Sequence, residues 1–385
     1  MSNHVKNTVK KVFEDLADAI DTGSMEKRLK IGLTIDGSEL GPDVMKEAAY
    51  AIRKKNLFDL VLIGDDADWT DEFIHVSTTD CQKDAYSKME ELLETGEIQG
   101  CVTLHYNFPI GVSTVGRIVT PAFGKEVLIA TTTGTASANR NEAMVLNAVN
   151  GIIAAKATGI THPTVGILNV DGARTVERAL VTLKKNGYDI IFGESRRADG
   201  GAVLRGNDLL TGAVDVVVCD SLTGNLLMKL FSSFNSGGSY EVLGSGYGPG
   251  IGENHSANIC IISRASGAPV ITGALMYAYE LARGQLPKIS QAEYQQANSA
   301  KLKQICESLQ PVVIEHQAKA AAPEKEVVTS EISGIDVMEL DDAVAVLWKE
   351  NIYAESGMGC TGPIVLVNEA HYESARTLLE QAGYL

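Results

Sequence analysis

At 385 residues, 45% of them hydrophobic and 21% charged, the chain carries enough apolar material for more than one core and is no disordered polymer. A formal net charge of -16 argues against a nucleic-acid partner, because phosphate backbones are held by clustered Lys and Arg; a small anionic substrate would need a local basic pocket. Gly 37 against Pro 10 points to many strand-to-helix turns in a globular enzyme-like protein.

The N-terminal stretch places Val5, Val9, Val12, Leu16 and Ile20 at three- and four-residue spacing among charges, which predicts an amphipathic helix over residues 3–21, stopped near Gly23. Such a helix suits packing on its own body or on a partner. No apolar leader core is visible at the start, and no run approaches the roughly 18 apolar residues of a membrane span, so a cytoplasmic protein without membrane contact is expected. Cys81, Cys101, Cys219, Cys260, Cys306 and Cys360 form no CxxC pair and no metal-ligand spacing. Reduced thiols, no disulfide framework, no metal and no cofactor are the expectation.

From Leu29 short apolar runs alternate with helical periods. Strands are predicted at Leu29 to Ile35, Asp59 to Gly64, Val127 to Thr131, Val165 to Val170, Asp189 to Phe192, Val214 to Cys219 and Asn258 to Ile262. Helices are predicted at Pro42 to Arg53, Asp84 to Leu93, Glu142 to Ala155, Thr175 to Lys185, Asn225 to Phe234 and Ala274 to Arg283, followed by polar helical sequence from Gln291 to Leu309. This alternation defines an α/β fold with a parallel or mixed sheet and helices on both faces, and places ligands at the carboxyl ends of the strands. Residues 317–334 read as a linker. A compact C-terminal unit follows, with a helix at Asp341 to Lys349, a strand at Ile364 to Val367 and a helix at His371 to Ala382. The expected organisation is an N-terminal helix (1–28), an α/β domain (29–290), a helix and linker (291–334) and a small C-terminal α/β unit (335–385).

Three segments of the α/β part carry candidate chemistry. In the first, Thr131 to Arg140, a strand leads through a turn rich in Gly and hydroxyls to a helix start, where free N–H groups and the dipole suit phosphate; Thr133, Gly134, Thr135, Ser137, Asn139 and Arg140 are the candidates. Ordinary helix capping is the competing reading. The second, Gly244 to Gly252, has glycine at every other position and reads as a loop allowing close backbone approach, with Ser245 and Gly246 as cleft candidates. It lacks the GxGxxG context, and the chain holds no Walker sequence. The third, Asp215 to Asn225, is an apolar strand ending in Asp220, Thr223 and Asn225, with Cys219 turned into the sheet; Asp220 has two readings, a ligand contact or an N-cap. Arg140, Arg174, Arg196, Arg197 and Arg205 are the cations near these strand ends, and Asp36 ends the first strand. His105, His162, His255 and His371 are scattered and follow no catalytic order.

In the tail, Cys360 stands in the glycine-rich segment Gly357-Met358-Gly359-Cys360-Thr361-Gly362-Pro363. Small neighbours and adjacent N–H groups are the setting in which a thiolate is stabilised; a small buried cysteine in a tight turn is the alternative.

The run Ala213 to Lys229, which includes Asp220-Ser221-Leu222-Thr223-Gly224-Asn225, resembles the phosphate acyltransferases of phospholipid synthesis, which join acyl groups to phosphate on an isocitrate-dehydrogenase-like fold. Ser38-Glu39 stands where that family has Gly-Asp, and the long-chain enzymes lack a cysteine-bearing tail, which points away from long acyl substrates. Over its whole length, including Ser356 to Val365, the chain resembles the alpha subunits of component C of the clostridial glycine, sarcosine and betaine reductases. The resemblance implies that Cys360 carries an acetyl group delivered by a ketoacyl-synthase-like beta subunit, downstream of selenoprotein A, and that inorganic phosphate takes it off as acetyl phosphate. Backbone N–H groups of Gly359 or Thr361 would then face the oxyanion. The competing expectations are a non-catalytic docking subunit, a phosphate acyltransferase for another acyl thioester, and a decarboxylating dehydrogenase, for which the sequence shows neither a nicotinamide nor a metal signature.

Overall fold

The computed structural model describes residue 13 and residues 28–78, 82–196, 200–255, 257–310, 322–336, 339–359 and 362–385. The amphipathic helix expected over residues 3–21 lies, but for residue 13, outside them. In chain order the strands are β1 (Lys30–Thr34), β2 (Asp59–Gly64), β3 (Ile74–Ser77), β4 (Gly100–Thr103), β5 (Val112–Val119), β6 (Glu126–Thr135), β7 (Thr164–Leu168), β8 (Ile191–Phe192), β9 (Val203–Leu204), β10 (Val216–Val218), β11 (Gly248–Ile251), β12 (Ile259–Ile261), β13 (Ser330–Ser333), β14 (Ala354–Gly359) and β15 (Gly362–Val367). The helices are α1 (Asp43–Lys55), α2 (Gln82–Glu94), α3 (Arg140–Ala157), α4 (Ala173–Lys185), α5 (Gly206–Thr211), α6 (Ser221–Ser233), α7 (Ala268–Arg283), α8 (Leu286–Ser299), α9 (Leu302–Ser308), α10 (Leu340–Lys349) and α11 (Tyr372–Gln381). The chain divides into two compact units, one of Met1–Tyr106, Ser232–Pro249 and Ala257–Pro287, the other of Asn107–Phe231, Gly250–Ser256 and Lys288–Leu385.

In the first unit β3, β2, β1, β4 and β12 run parallel in that order, and Gly248 and Pro249 of β11 pair antiparallel with β12. Ile31, Leu33, Leu62 and Ile63 are fully buried, as expected of strands covered on both faces. Helix α1 turns Met45, Ala48, Ala49 and Ile52 inward and ends at Asn56, whose left-handed conformation closes the helix.

In the second unit Gly250 and Ile251 of β11 pair with β5, which pairs antiparallel with β6; β6, β10, β7 and β8 continue in parallel, with β9 also on β7. Helix α3 is buried along almost its entire length. Polar side chains on such a helix need partners: Asn147 donates to Cys219 O (3.1 Å) and accepts from Ser113 Oγ (2.8 Å). Asn150 donates to Ser113 Oγ (2.9 Å) and Ile251 O (3.1 Å) and accepts from Tyr294 OH (2.6 Å). One amide cluster thus ties α3 to β5, β11, α8 and the end of β10.

The C-terminal part of this unit has its own core. The antiparallel sheet β13-β15-β14 packs with α10 and α11 through Ile332, Ile335, Leu340, Leu347, Val365 and Leu379. It meets α4 through polar contacts, in which Arg178 donates to Glu339 Oε2 (2.7 Å) and Tyr384 O (3.2 Å).

The α/β class, the mixed sheet and the small C-terminal unit expected from the sequence hold. Several local expectations do not. The run Thr131 to Thr135, read as a turn, is strand, because β5 pairs with it as far as Thr135 and the hydroxyls of Thr131 and Thr114 find backbone acceptors. The second half of the Gly244 to Gly252 loop is strand β11, where the missing side chain of Gly250 leaves room for the Phe108 ring. Strand β13 lies in the stretch read as linker, and α6 begins at Ser221 rather than Asn225. Among the described residues, no helix is long and apolar enough to cross a membrane.

Replacing Asn150 with Leu strands the Tyr294 hydroxyl and the Ile251 carbonyl in the interior. A loss of about 2 to 3 kcal/mol in urea unfolding is expected, and a neutral outcome would show that the cluster contributes nothing to the packing of α3.

Candidate functional site

Strands β6, β10 and β7 are neighbours in register, with Val218 level with Ala130 on one side and Ile167 on the other. Beyond this common edge the chain enters α3, α6 and α4. The first turns of three helices therefore gather at the carboxyl ends of three adjacent parallel strands, where their free N–H groups make the field positive.

Each start is fixed by a short-range reason in the sequence. Asn139 caps α3, accepting from the Glu142 amide (3.0 Å). Asp220 caps α6, accepting from the Thr223 amide (3.1 Å) and the Thr223 hydroxyl (2.7 Å). At α4 the N-cap is Gly172, with φ of 84°, packed so closely that a Cβ would lie 2.0 Å from Asn141 Oδ1. Gly224 in the first turn of α6 is held against β6, where a Cβ would lie 1.7 Å from Thr131 O, and Asn225 Nδ2 donates to Thr132 O (3.1 Å).

Arg140 sits at the centre of this arrangement. Its Nη2 donates to Asp220 Oδ2 (3.0 Å) and its Nη1 lies 3.5 Å from Asp171 Oδ2. Burial alone would raise the Asp220 carboxyl; the bonds from the Thr223 hydroxyl and amide and the Arg140 guanidinium outweigh it and hold the group below its ordinary value. The N-cap reading of Asp220 holds, and the capping carboxylate also grips a cation.

The other expected phosphate residues lie at the end of β6 and on the β6–α3 connection and are engaged locally. Thr133 N donates to Thr114 Oγ1 (2.9 Å), Gly134 adopts φ of 71°, and Thr135 Oγ1 donates to Ser137 O (2.6 Å). Ser137 Oγ donates to Glu142 Oε2 (2.8 Å). Asn139 Nδ2 donates to Leu309 O (3.0 Å) and Gln310 Nε2 to Glu142 Oε2 (2.7 Å), so the end of the helical region before residue 311 is fastened to this connection.

The structure brings Arg140, Asp220, Thr223 and Asn225 together and sets Ser245 and Gly246 in the other compact unit. There Gly246, with φ of 73°, lies against Ile261 O and Ile262. Of the remaining cations, Arg174 pairs with Glu177 (2.8 Å) and Arg196 lies over the Phe123 ring; Arg205 is the N-cap residue of α5, its backbone N–H donating to Asp208 Oδ2 (2.8 Å), and Arg197 lies outside the described residues. Asp36, at the end of β1, accepts from the Asp65 amide, and its carboxyl is raised by burial. The ring of His255 packs edge-on against Phe108, and His371 lies 3.8 Å from Glu326.

Gly359 ends β14 opposite Gly362 at the start of β15; Cys360 and Thr361 lie outside the described residues. The four described cysteines are all buried. Burial pushes the thiols of Cys101 and Cys219 up and that of Cys306 to about 12, so none of these three is a nucleophile at neutral pH. Sequence reasoning missed Asp171. Its signal was present, an acid beyond an apolar strand and just ahead of a helix start, the position that picked out Asp220.

The parallel α/β edge with a capped helix start and a paired Arg is an architecture for holding small anionic substrates. The chain belongs to the fatty acid synthesis protein family, which it matches over residues 29–366. Within that class it is 56% identical over 384 residues, 98% of either chain, to the glycine/sarcosine/betaine reductase complex component C subunit alpha of Peptoclostridium acidaminophilum. It is also 26% identical over 261 residues to a phosphate acyltransferase of Thermotoga petrophila, covering 57% of this chain and 75% of that one. The resemblance drawn from the Ala213 to Lys229 run and the tail is borne out.

Because the folded Asp220 carboxyl lies below its ordinary 3.8, its contribution to stability is complete above that value and is lost as pH falls through the lower folded value. Asp220→Asn is expected to melt below wild type near neutral pH, with the gap closing in acid. A gap that does not narrow at all as the solution is acidified, in thermal unfolding, would contradict the ion pair.

Proposed function

We propose that this chain transfers an acetyl group, held as a thioester on Cys360, to inorganic phosphate and releases acetyl phosphate, closing the reduction of glycine, sarcosine or betaine. The observation that carries the reading is the end-to-end match to a component C subunit alpha, which includes the tail around Cys360. The phosphate acyltransferase relatives match a smaller share of the chain and share the idea of acyl transfer to phosphate.

The chemistry is a balanced exchange. An anionic phosphate oxygen adds to the thioester carbonyl carbon, giving a tetrahedral intermediate; the C–S bond then breaks and the Cys360 thiolate leaves with the electron pair. The site's task is position and charge compensation, since thioester and acyl phosphate have comparable transfer potential. Arg140 and the first turns of α3 and α6 would hold the phosphate, with Thr133, Gly134, Thr135, Ser137 and Asn139 shaping the connection beside it. Backbone N–H groups of Gly359 or Thr361 would stabilise the intermediate's oxyanion. The acetyl group would come from a ketoacyl-synthase-like beta subunit of the complex, fed indirectly by selenoprotein A.

Mass mapping after a single turnover with labelled acetyl donor, phosphate withheld, should find the acetyl group on Cys360. Added phosphate should release it as acetyl phosphate. Cys360→Ala is expected to lose at least about 100-fold in acetyl phosphate formation; equal rates for variant and wild type would sink the thioester reading.

A further inference from the structure

The two carboxylates that share Arg140 are not equivalent. Asp220 is fastened by the Thr223 amide and hydroxyl, its side chain is only 16% exposed, and it meets Nη2 at 3.0 Å. Asp171 approaches Nη1 at 3.5 Å with a side chain 64% exposed. Asp220 caps α6 and is built into the fold. Asp171 stands just ahead of the N-cap Gly172 of α4 and faces solvent.

An exposed ion pair of that length contributes little and is exchanged easily, whereas a capped, largely buried one persists. The guanidinium therefore has one fixed anchor and one replaceable partner. Its Nη1 edge is the one turned to Asp171, just ahead of the first turn of α4, where a helix start favours negative charge.

We propose that Asp171 is a displaceable counter-ion: it holds Arg140 between turnovers and yields that edge of the guanidinium to an incoming oxyanion of the phosphate class, while Asp220 keeps Arg140 positioned throughout. Asp171 is a positioning residue that acts through Arg140. No bond is made or broken in the exchange, only one anionic partner for another. By competing for the same N–H groups, Asp171 weakens anion binding and speeds release of an anionic product. The assignment rests on the phosphate reading above and names a determinant of phosphate affinity within it.

Titration of the full-length protein with inorganic phosphate, by calorimetry or phosphorus NMR, tests it. Asp171→Asn is expected to bind phosphate about fivefold tighter than wild type, Asp171→Glu to bind like wild type, and Asp220→Asn to bind at least about tenfold more weakly. In turnover, Asp171→Asn should lower the KM for phosphate by a similar factor, an improvement that loss of a merely structural contact would not produce. Unchanged or weaker phosphate binding by Asp171→Asn overturns the proposal. If the binding pattern appears but no acetyl phosphate forms on any variant or on wild type, the counter-ion assignment stands and the transfer reading fails.

Discussion

A helix buried on nearly every side can carry polar residues only where each finds a partner, and α3 meets that condition at Asn147 and Asn150. Their amides lock the helix in rotation and in height against β5, β10, β11 and α8. Everything at the head of α3 inherits that placement. Arg140 opens the helix, so its guanidinium is carried on a rigid element rather than on a loop, as precise anion recognition requires.

The same economy recurs at the other helix starts. Asp220 caps α6 and grips Arg140 with one carboxylate, and Asn139 caps α3 while reaching Leu309 near the end of the α9 region. Structural and chemical roles are thus superposed on single residues, and substitution at these positions acts on fold and site together. The C-terminal sheet differs in kind. It closes its own apolar core and meets α4 through Arg178, Glu339 and the Tyr384 carbonyl, contacts that water can replace at small cost.

Legibility in the sequence followed the strength of local pattern. Strand β2 and the core of β10 were readable because Leu60 to Ile63 and Val216 to Val218 are unbroken apolar runs. Strands β5 and β11 were not. The first mixes Ser113, Thr114, Gly116 and Arg117 into its length, and the second is Gly-Pro-Gly-Ile, whose pairing is decided by Phe108 and β5 rather than by propensity. At the site, Asp220 and Arg140 could be nominated from strand-end position, but their pairing across 80 residues is a product of strand order, which no local pattern encodes. Asp171 carried the same strand-end signal and was passed over; only its approach to Arg140 depends on strand order. Ser245 and Gly246 were grouped with Asp220 by composition, and they belong to the other compact unit.

Neither compact unit is contiguous in the chain: the first is assembled from three stretches and so is the second, interleaved as far as Pro287. During synthesis the parallel strands β1, β2 and β4 emerge first but must wait for β12 and α7, more than 150 residues later, before that core closes. Such long-range closure is slow and leaves apolar strands open in the interval. The C-terminal sheet, whose core draws on residues 332–385, can by contrast close as soon as it is made. Fragments cut at any single point between β1 and α7 would therefore sever a core, which makes the chain a poor subject for domain dissection.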